Sequence, residues 1–185
     1  MDDKLVKDVM VPLDQCAVVD ESASFLDAIR AMADSSGRLT PGRPPYQSVL
    51  VVDSRRRVLG KIGQLALLRA LEPKYNLLSD LDTVPGAGVN EQFISSIMEH
   101  YEFFQDRLSE MCRAAMNIPV TGIMHPIEES VDQDDPLAAA IHKLIVWEAL
   151  SVPVSSGNDI VGLLRLGDLF SELAATVIEL AEGQQ

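Results

Sequence analysis

The chain contains two related segments, and this internal repeat limits the folds open to it more than any other feature. Three pairs of segments align: DVMVP at 8–12 with GIMHP at 122–126, LDAIRAM at 26–32 with AAAIHKL at 138–144, and LGKIGQLALL at 59–68 with VGLLRLGDLF at 161–170. The offsets between them are 114, 112 and 102, so the first copy carries about ten extra residues before its last matched segment. Those residues lie in 35–47, SSGRLTPGRPPYQ, whose glycines and prolines predict a loop.

Both copies have the same predicted order of elements, β-α-β-β-α. In copy 1, residues 1–71, the apolar patterns predict strands at 16–19, 48–53 and 58–62, a helix capped by Ser22 or Ser24, and a helix at 65–71. In copy 2, residues 120–185, they predict strands at 129–131, 151–154 and 160–164 and helices at 136–147 and 167–180. Each copy has about 60 residues, which is short for an independent core, so we expect the two to pack on each other.

Residues 72–119 separate the copies. Residues 72–89 contain two prolines and two glycines and predict a linker, whereas residues 90–116 contain neither and predict one long helix. Apolar residues recur along it in steps of four and three, at Ile97, Tyr101, Phe104, Leu108, Met111 and Ala115. Such a heptad-type seam packs either on its own chain or on a second chain. Because a compact pair of repeats offers little free apolar surface, we expect a homodimer.

The charge and composition exclude several classes of function. The chain has 28 Asp and Glu against 15 Lys and Arg, a formal net charge of −13, which disfavours binding to nucleic acid or anionic membranes. No apolar run approaches the roughly 18 residues of a membrane span, and MDDKLVKDVM at the start lacks a signal-peptide pattern. Cys16 and Cys112 indicate neither a disulfide framework nor a zinc site. The sequence therefore predicts a soluble, cytoplasmic protein.

The repeat resembles the cystathionine-β-synthase (CBS) domain pair, also called the Bateman module. Each copy opens with an apolar-apolar-x-Pro element and ends in a strand that runs through Gly into a helix; the resemblance is strongest in IMHP, LSVPV and DIVGLLRLGDLF of copy 2. It implies an α/β (α+β) fold in which tandem repeats form a pseudo-twofold pair with two clefts between them. It also implies that a cleft binds an adenine nucleotide or related adenosyl ligand and that the module signals to a regulated protein partner.

The family's binding motif is Gly, two apolar residues, Thr or Ser, two further residues and Asp. In copy 2 the motif begins at Gly162 and keeps its Asp as Asp168, but Arg165 replaces the Thr. In copy 1 it begins at Gly60 and has lost both the Thr and the Asp. The resemblance implies that Asp168 accepts hydrogen bonds from ribose, although an Asp there could instead only cap a helix. Arg165 could hold a phosphate in place of the Thr hydroxyl, or could be a surface residue.

Three further residues of copy 2 are candidates for ligand contact. His125, in IMHP, would stack on or hydrogen-bond a base if it lies at the mouth of the cleft, or it could be an exposed loop residue. Met124 and Val152 would contact an adenine, or they could be ordinary core residues. Since 10 of the 15 Lys and Arg lie in residues 1–71, we expect a phosphate to be met by cations of copy 1 or by Arg165.

No catalytic motif emerges, and two hypotheses remain for the function. The sequence has no phosphate-cradling P-loop, HExxH or GxSxG, and its three His show no metal-ligand spacing. The first hypothesis is a non-catalytic sensor of AMP, ADP, ATP or another adenosyl compound, with no required cofactor. The second is a CBS-type scaffold that has lost its ligand and acts through homodimerisation. An enzyme is a distant third.

Overall fold

The computed structural model describes residues 4–36, 48–72 and 107–183. Copy 1 contains strands β1 (Val11–Pro12), β2 (Val18–Asp20), β3 (Ser48–Val52) and β4 (Val58–Gly63) and helices α1 (Phe25–Ser36) and α2 (Gln64–Leu71). Helix α3 (Leu108–Ala115) leads into copy 2. Copy 2 contains strands β5 (His125–Pro126), β6 (Val131–Asp132), β7 (Ser151–Ser156) and β8 (Asp159–Arg165) and helices α4 (Leu137–Val146) and α5 (Leu166–Glu182). The predicted mixed α and β fold with two β-α-β-β-α repeats is confirmed.

The two copies exchange their first strands. The sheet of copy 1 has the order β2-β3-β4-β5, so it ends in a strand from copy 2. The sheet of copy 2 has the order β1-β8-β7-β6, so it ends in a strand from copy 1. The two registers match: Val11 pairs with Leu163, and His125 pairs with Lys61. This reciprocal exchange gives the pair its pseudo-twofold arrangement. The sequence analysis assigned no strand to either exchanged segment.

The hydrophobic core of each copy also contains residues of the other copy. Val6 and Val9, which precede β1, are buried in the core of copy 2 together with Leu137 and Leu164. Val120 and Ile123, which precede β5, are buried in the core of copy 1, which also contains Val49, Val51 and Ile62. Neither core is complete without residues from the other copy. The expectation that two short repeats would pack on each other agrees with this arrangement.

Each exchanged strand passes directly over a glycine. A Cβ added to Gly162 would lie 2.5 Å from the Val11 carbonyl oxygen, and one added to Gly60 would lie 2.7 Å from the His125 carbonyl oxygen. Real Cβ atoms do not approach backbone oxygens so closely. The glycine of each motif is therefore required by the crossing strand.

Local signals explain where the regular elements begin and turn. Helix α1 starts after Ser24, whose hydroxyl accepts the Asp27 N–H at 3.3 Å while the Asp27 carboxylate accepts the Ser24 N–H at 2.9 Å. The tip of the β3–β4 hairpin is exposed, as expected for solvated arginines. There the Asp53 carboxylate accepts the Arg57 N–H at 2.8 Å, and this hydrogen bond lowers the pKa of Asp53.

The predicted long helix is only partly described. Its residues 90–106 lie outside the described part of the chain, and helix α3 starts at Leu108 because Arg107 has an extended backbone with φ −64° and ψ 136°. The prediction of one continuous helix is therefore wrong at Arg107. Met111 and Ala115 of the seam are buried, whereas Leu108 is 63% exposed. Since Ala115 belongs to the core of copy 1, this end of the seam packs on its own chain. Within the described residues, no helix is both long and apolar enough to cross a bilayer.

The crossing of β1 over Gly162 predicts that a single methyl group added at this glycine lowers the stability of the fold. We expect Gly162→Ala to lower the free energy of unfolding by about 1–3 kcal/mol, because the new Cβ must displace the backbone of β1. Gly122→Ala is the matched control, since a Cβ there meets nothing within 4 Å, and its effect should stay within about 0.5 kcal/mol. Urea denaturation followed by circular dichroism measures both. Equal stability of the two variants would contradict the role given to Gly162.

Candidate functional site

A cavity of about 380 Å³ lies between the two sheets. Lys61 and His125 line it from neighbouring strands of the copy 1 sheet, and Ser151 and Val152 line it from the facing sheet of copy 2. Trp147, just after α4, contributes an aromatic wall. The cavity thus combines apolar, aromatic and charged groups, which is the usual character of a small-molecule site.

Lys61 joins the two copies across this cavity. Its Nζ donates to the Ser151 carbonyl oxygen at 2.6 Å and to the Ser151 Oγ at 3.1 Å. Burial of the ammonium lowers the pKa of Lys61. Strand β4 fixes the position, because its pairing with β5 places Lys61 opposite His125.

Trp147 and Val152 give the cavity its apolar character. Trp147 is the C-cap residue of helix α4, and the Lys143 ammonium stands 6.0 Å from the centre of its ring. Val152 is 2% exposed and belongs to the core of copy 2, so it is a core residue that also lines the cavity. Glu128 and Glu129 add negative charge to the wall of the cavity.

Met124 and His125 take different positions although they are adjacent in sequence. His125 is exposed and lines the cavity, as a residue at the mouth of a cleft should. Met124 packs against the core of copy 1, and its Sδ would lie 2.7 Å from a Cβ on Gly60. Met124 therefore packs over Gly60, where β5 crosses β4, and it does not line the cavity.

Arg165 and Asp168 form a buried ion pair where β8 passes into α5. The Arg165 Nε donates to Asp168 Oδ2 at 2.5 Å, and its Nη2 donates to Oδ1 at 2.7 Å. The two residues are 5% and 8% exposed, so the suggestion that Arg165 is a surface residue is wrong. The guanidinium thus engages both carboxylate oxygens.

A thiol of copy 1 lies beside this ion pair. The Cys16 thiol donates weakly to the Val11 carbonyl oxygen at 3.6 Å. Its burial raises the pKa of Cys16 to about 12, and the positive charge of Arg165 opposes that rise. The pair thus lies near the N-terminal segment of copy 1, where β1 crosses over Gly162.

The predicted site residues consequently fall into two groups. His125 and Val152 line the cavity, whereas Arg165 and Asp168 are not among its lining residues. No ligand role was predicted for Ser151 or Trp147, and Lys61 is only one of the ten cations of residues 1–71 from which a phosphate contact was expected. The sequence does contain a signal that singles out Lys61. It is a charged residue between Gly60 and Ile62, in a strand whose other residues are uncharged and typical of a buried strand.

The Arg165–Asp168 pair predicts strongly non-additive substitutions. Asp168→Ala should destabilise the fold by about 3–5 kcal/mol, because it leaves a buried guanidinium without this partner. The double variant Arg165→Met with Asp168→Leu should be more stable than that single variant, since it removes both charges. Urea denaturation of the wild type, both single variants and the double variant checks this. Additive losses would mean that the two side chains stabilise the fold independently.

Comparison with known proteins agrees with this architecture. The CBS domain family matches the chain over residues 6–73 and 120–175. No curated protein is similar enough in sequence to match.

Solved structures share the fold at low sequence identity. A conserved protein from Pyrococcus horikoshii is 17% identical, with a TM-score of 0.59 and coverage of 93% of each chain. The CBS-pair protein CBSX2 from Arabidopsis thaliana is 19% identical, with a TM-score of 0.59 and coverage of 95% of this chain and 96% of that one. A structure of CBSX2 in complex with AMP is 20% identical, with a TM-score of 0.57 and coverage of 95% and 98%. With the family matched over both copies, and with two repeats that exchange their first strands, the chain belongs to the CBS-domain family.

Proposed function

We propose that the protein is a non-catalytic regulatory module that binds an adenine nucleotide or related adenosyl compound between its CBS repeats and signals to a protein partner. The observation that carries the proposal is the cavity of about 380 Å³ whose walls come from both sheets. Its size lies within the range of small-molecule sites, roughly 300–1,000 Å³. AMP, ADP and ATP are the first candidates, and no cofactor is required.

The groups around the cavity suit such a ligand. Trp147, Val152 and Ile127 offer aromatic and apolar surface to a base, while Ser151 offers a hydroxyl. Lys61 supplies a positive charge to an anionic group. Asp168 does not line this cavity, so a ribose contact by Asp168 would need a second ligand, near the crossing of β1 over Gly162.

The position of the cavity supports a regulatory role. A ligand there would touch both sheets, so its binding free energy would depend on how the two copies are arranged. A ligand shifts an equilibrium between two arrangements by its difference in affinity for them. A partner that contacts both copies could respond to that shift.

Two further observations support the proposal. The neighbour CBSX2 was solved with AMP, which is a property of that protein and makes AMP the first ligand to try. Cys16 and Cys112 are both free thiols, which suits the reducing cytoplasm in which we place the protein.

The proposal predicts that adenine nucleotides stabilise the folded protein. AMP, ADP or ATP should raise the melting temperature, because a ligand that binds only the folded state stabilises it. Ala149→Trp should abolish the shift by filling the cavity, whereas Ala139→Trp, at an exposed position of α4, should retain it. Thermal-shift measurements with GMP as the comparison ligand check this. Absence of any shift in the wild type would favour the ligand-free scaffold.

We also propose that the module is a homodimer that joins through helix α5. Apolar residues recur along one face of α5 in steps of four and three, at Leu166, Phe170, Leu173, Val177 and Leu180. Phe170 and Val177 are 68% and 64% exposed, as is typical of a face that a second copy would cover. Leu68 of α2, which the repeat aligns with Phe170, is 60% exposed as well. This contact also serves the alternative, a ligand-free scaffold.

The dimer predicts a charge-sensitive association. Phe170→Glu together with Val177→Glu should convert dimer to monomer, because it places two carboxylates on an apolar contact. The matched control, Ser171→Glu with Ala175→Glu, adds the same charges to another exposed face of α5 and should leave the dimer intact. Sedimentation equilibrium at micromolar concentration distinguishes these outcomes. A wild type that sediments as a monomer would refute the assignment.

A further inference from the structure

The cavity wall contains one lysine and no arginine among the described residues. Lys61 lies on β4, and the residues before and after it in the sequence, Gly60 and Ile62, are both buried. Its ammonium carries three N–H donors. Two of them have acceptors in Ser151, one a carbonyl oxygen and one a hydroxyl, and neither acceptor is charged.

Lys61 lacks a counter-charge in the described part of the protein. Its contacts there include no carboxylate within 4.0 Å, although Glu128 and Glu129 line the same cavity. Burial alone accounts for its lowered pKa. Lys61 is half-buried, and a half-buried charge without a counter-charge carries part of the desolvation cost of a buried one.

The repeat shows that the fold itself does not need a cation at this position. The equivalent residue of copy 2 is Leu163, which pairs with Val11 exactly where Lys61 pairs with His125. Leu163 is 1% exposed, so an aliphatic side chain fills this environment well. The lysine therefore has a role other than completing the strand crossing.

Two other described arginines are engaged elsewhere, and a third lies away from the cavity. The Arg165 guanidinium holds Asp168, and the Arg57 guanidinium holds Asp53 at 2.7 Å on the exposed hairpin tip. Arg55 is exposed on the same tip and does not line the cavity. Lys61 is left to meet an anion inside the cavity.

We propose that Lys61 binds the phosphate of the ligand and makes this cleft selective for phosphorylated over neutral adenosine. The inference rests on the proposed function and adds the residue that determines specificity. Ser151 takes two of the three donors of this ammonium, so the third can meet a phosphate, and the ligand and the contact between the copies share one side chain.

The test compares AMP with adenosine, which differ by the phosphate. Titration calorimetry is carried out on the wild type, Lys61→Leu, Lys61→Arg and the control Arg55→Met. Lys61→Leu should lower AMP affinity about tenfold or more and change adenosine affinity less than about twofold, since a charge-assisted contact to phosphate is lost. Lys61→Arg should keep most of the AMP affinity, and Arg55→Met should behave as wild type. The wild-type preference for AMP should shrink as salt is raised.

Lys61→Leu reproduces the residue that copy 2 has at the equivalent position, so we expect it to fold, and its melting curve verifies this. An equal loss of AMP and adenosine in Lys61→Leu, or no loss of either, would overturn the assignment of Lys61.

Inorganic pyrophosphate separates this inference from the proposed function. If the wild type bound pyrophosphate through Lys61 but bound neither AMP nor adenosine, the adenine assignment would fail and Lys61 would remain an anion site. If AMP bound equally to the wild type and Lys61→Leu, the proposed function would stand and the role of Lys61 would fail. If the wild type bound none of the three, both would be refuted.

Discussion

The passage of each copy's first strand over a glycine of the other copy is the constraint on which the rest of the structure depends. At both crossings a backbone carbonyl lies where a Cβ would otherwise be, over Gly60 in one case and Gly162 in the other. The exchange also carries Val6 and Val120 into opposite cores. Each repeat of about 60 residues thus completes the core of the other, because the exchanged segments carry buried residues into it.

The crossing of β5 over Gly60 also determines where the cleft lies. Since β5 pairs with β4, His125 comes to lie beside Lys61, and both face the strand that carries Ser151 and Val152. Residues about 90 positions apart in sequence therefore share one cavity. A ligand held there would contact the two copies at once, and this is the physical basis of the proposal that the module is a sensor.

The two copies have kept the same backbone and changed the chemistry at equivalent positions. Copy 1 has Lys61 and Gly63 where copy 2 has Leu163 and Arg165. In copy 2 the charges neutralise each other within the chain, as Arg165 and Asp168 pair in a buried bidentate contact. In copy 1 the charge of Lys61 meets only neutral acceptors among the described residues. The pseudo-twofold pair is therefore symmetric in architecture and asymmetric in electrostatics.

The sequence by itself determined the repeat, the order β-α-β-β-α within each copy and most of the limits of those elements. Periodicity and capping are local, so α4 and α5 end within about two residues of their predicted limits and Ser24 caps α1. Only the tertiary structure decided which sheet β1 and β5 join, because two-residue strands carry no periodicity. It also decided that Arg165 pairs with Asp168 and that Lys61 meets Ser151. Such contacts depend on where separate segments cross in space, and no local pattern encodes that.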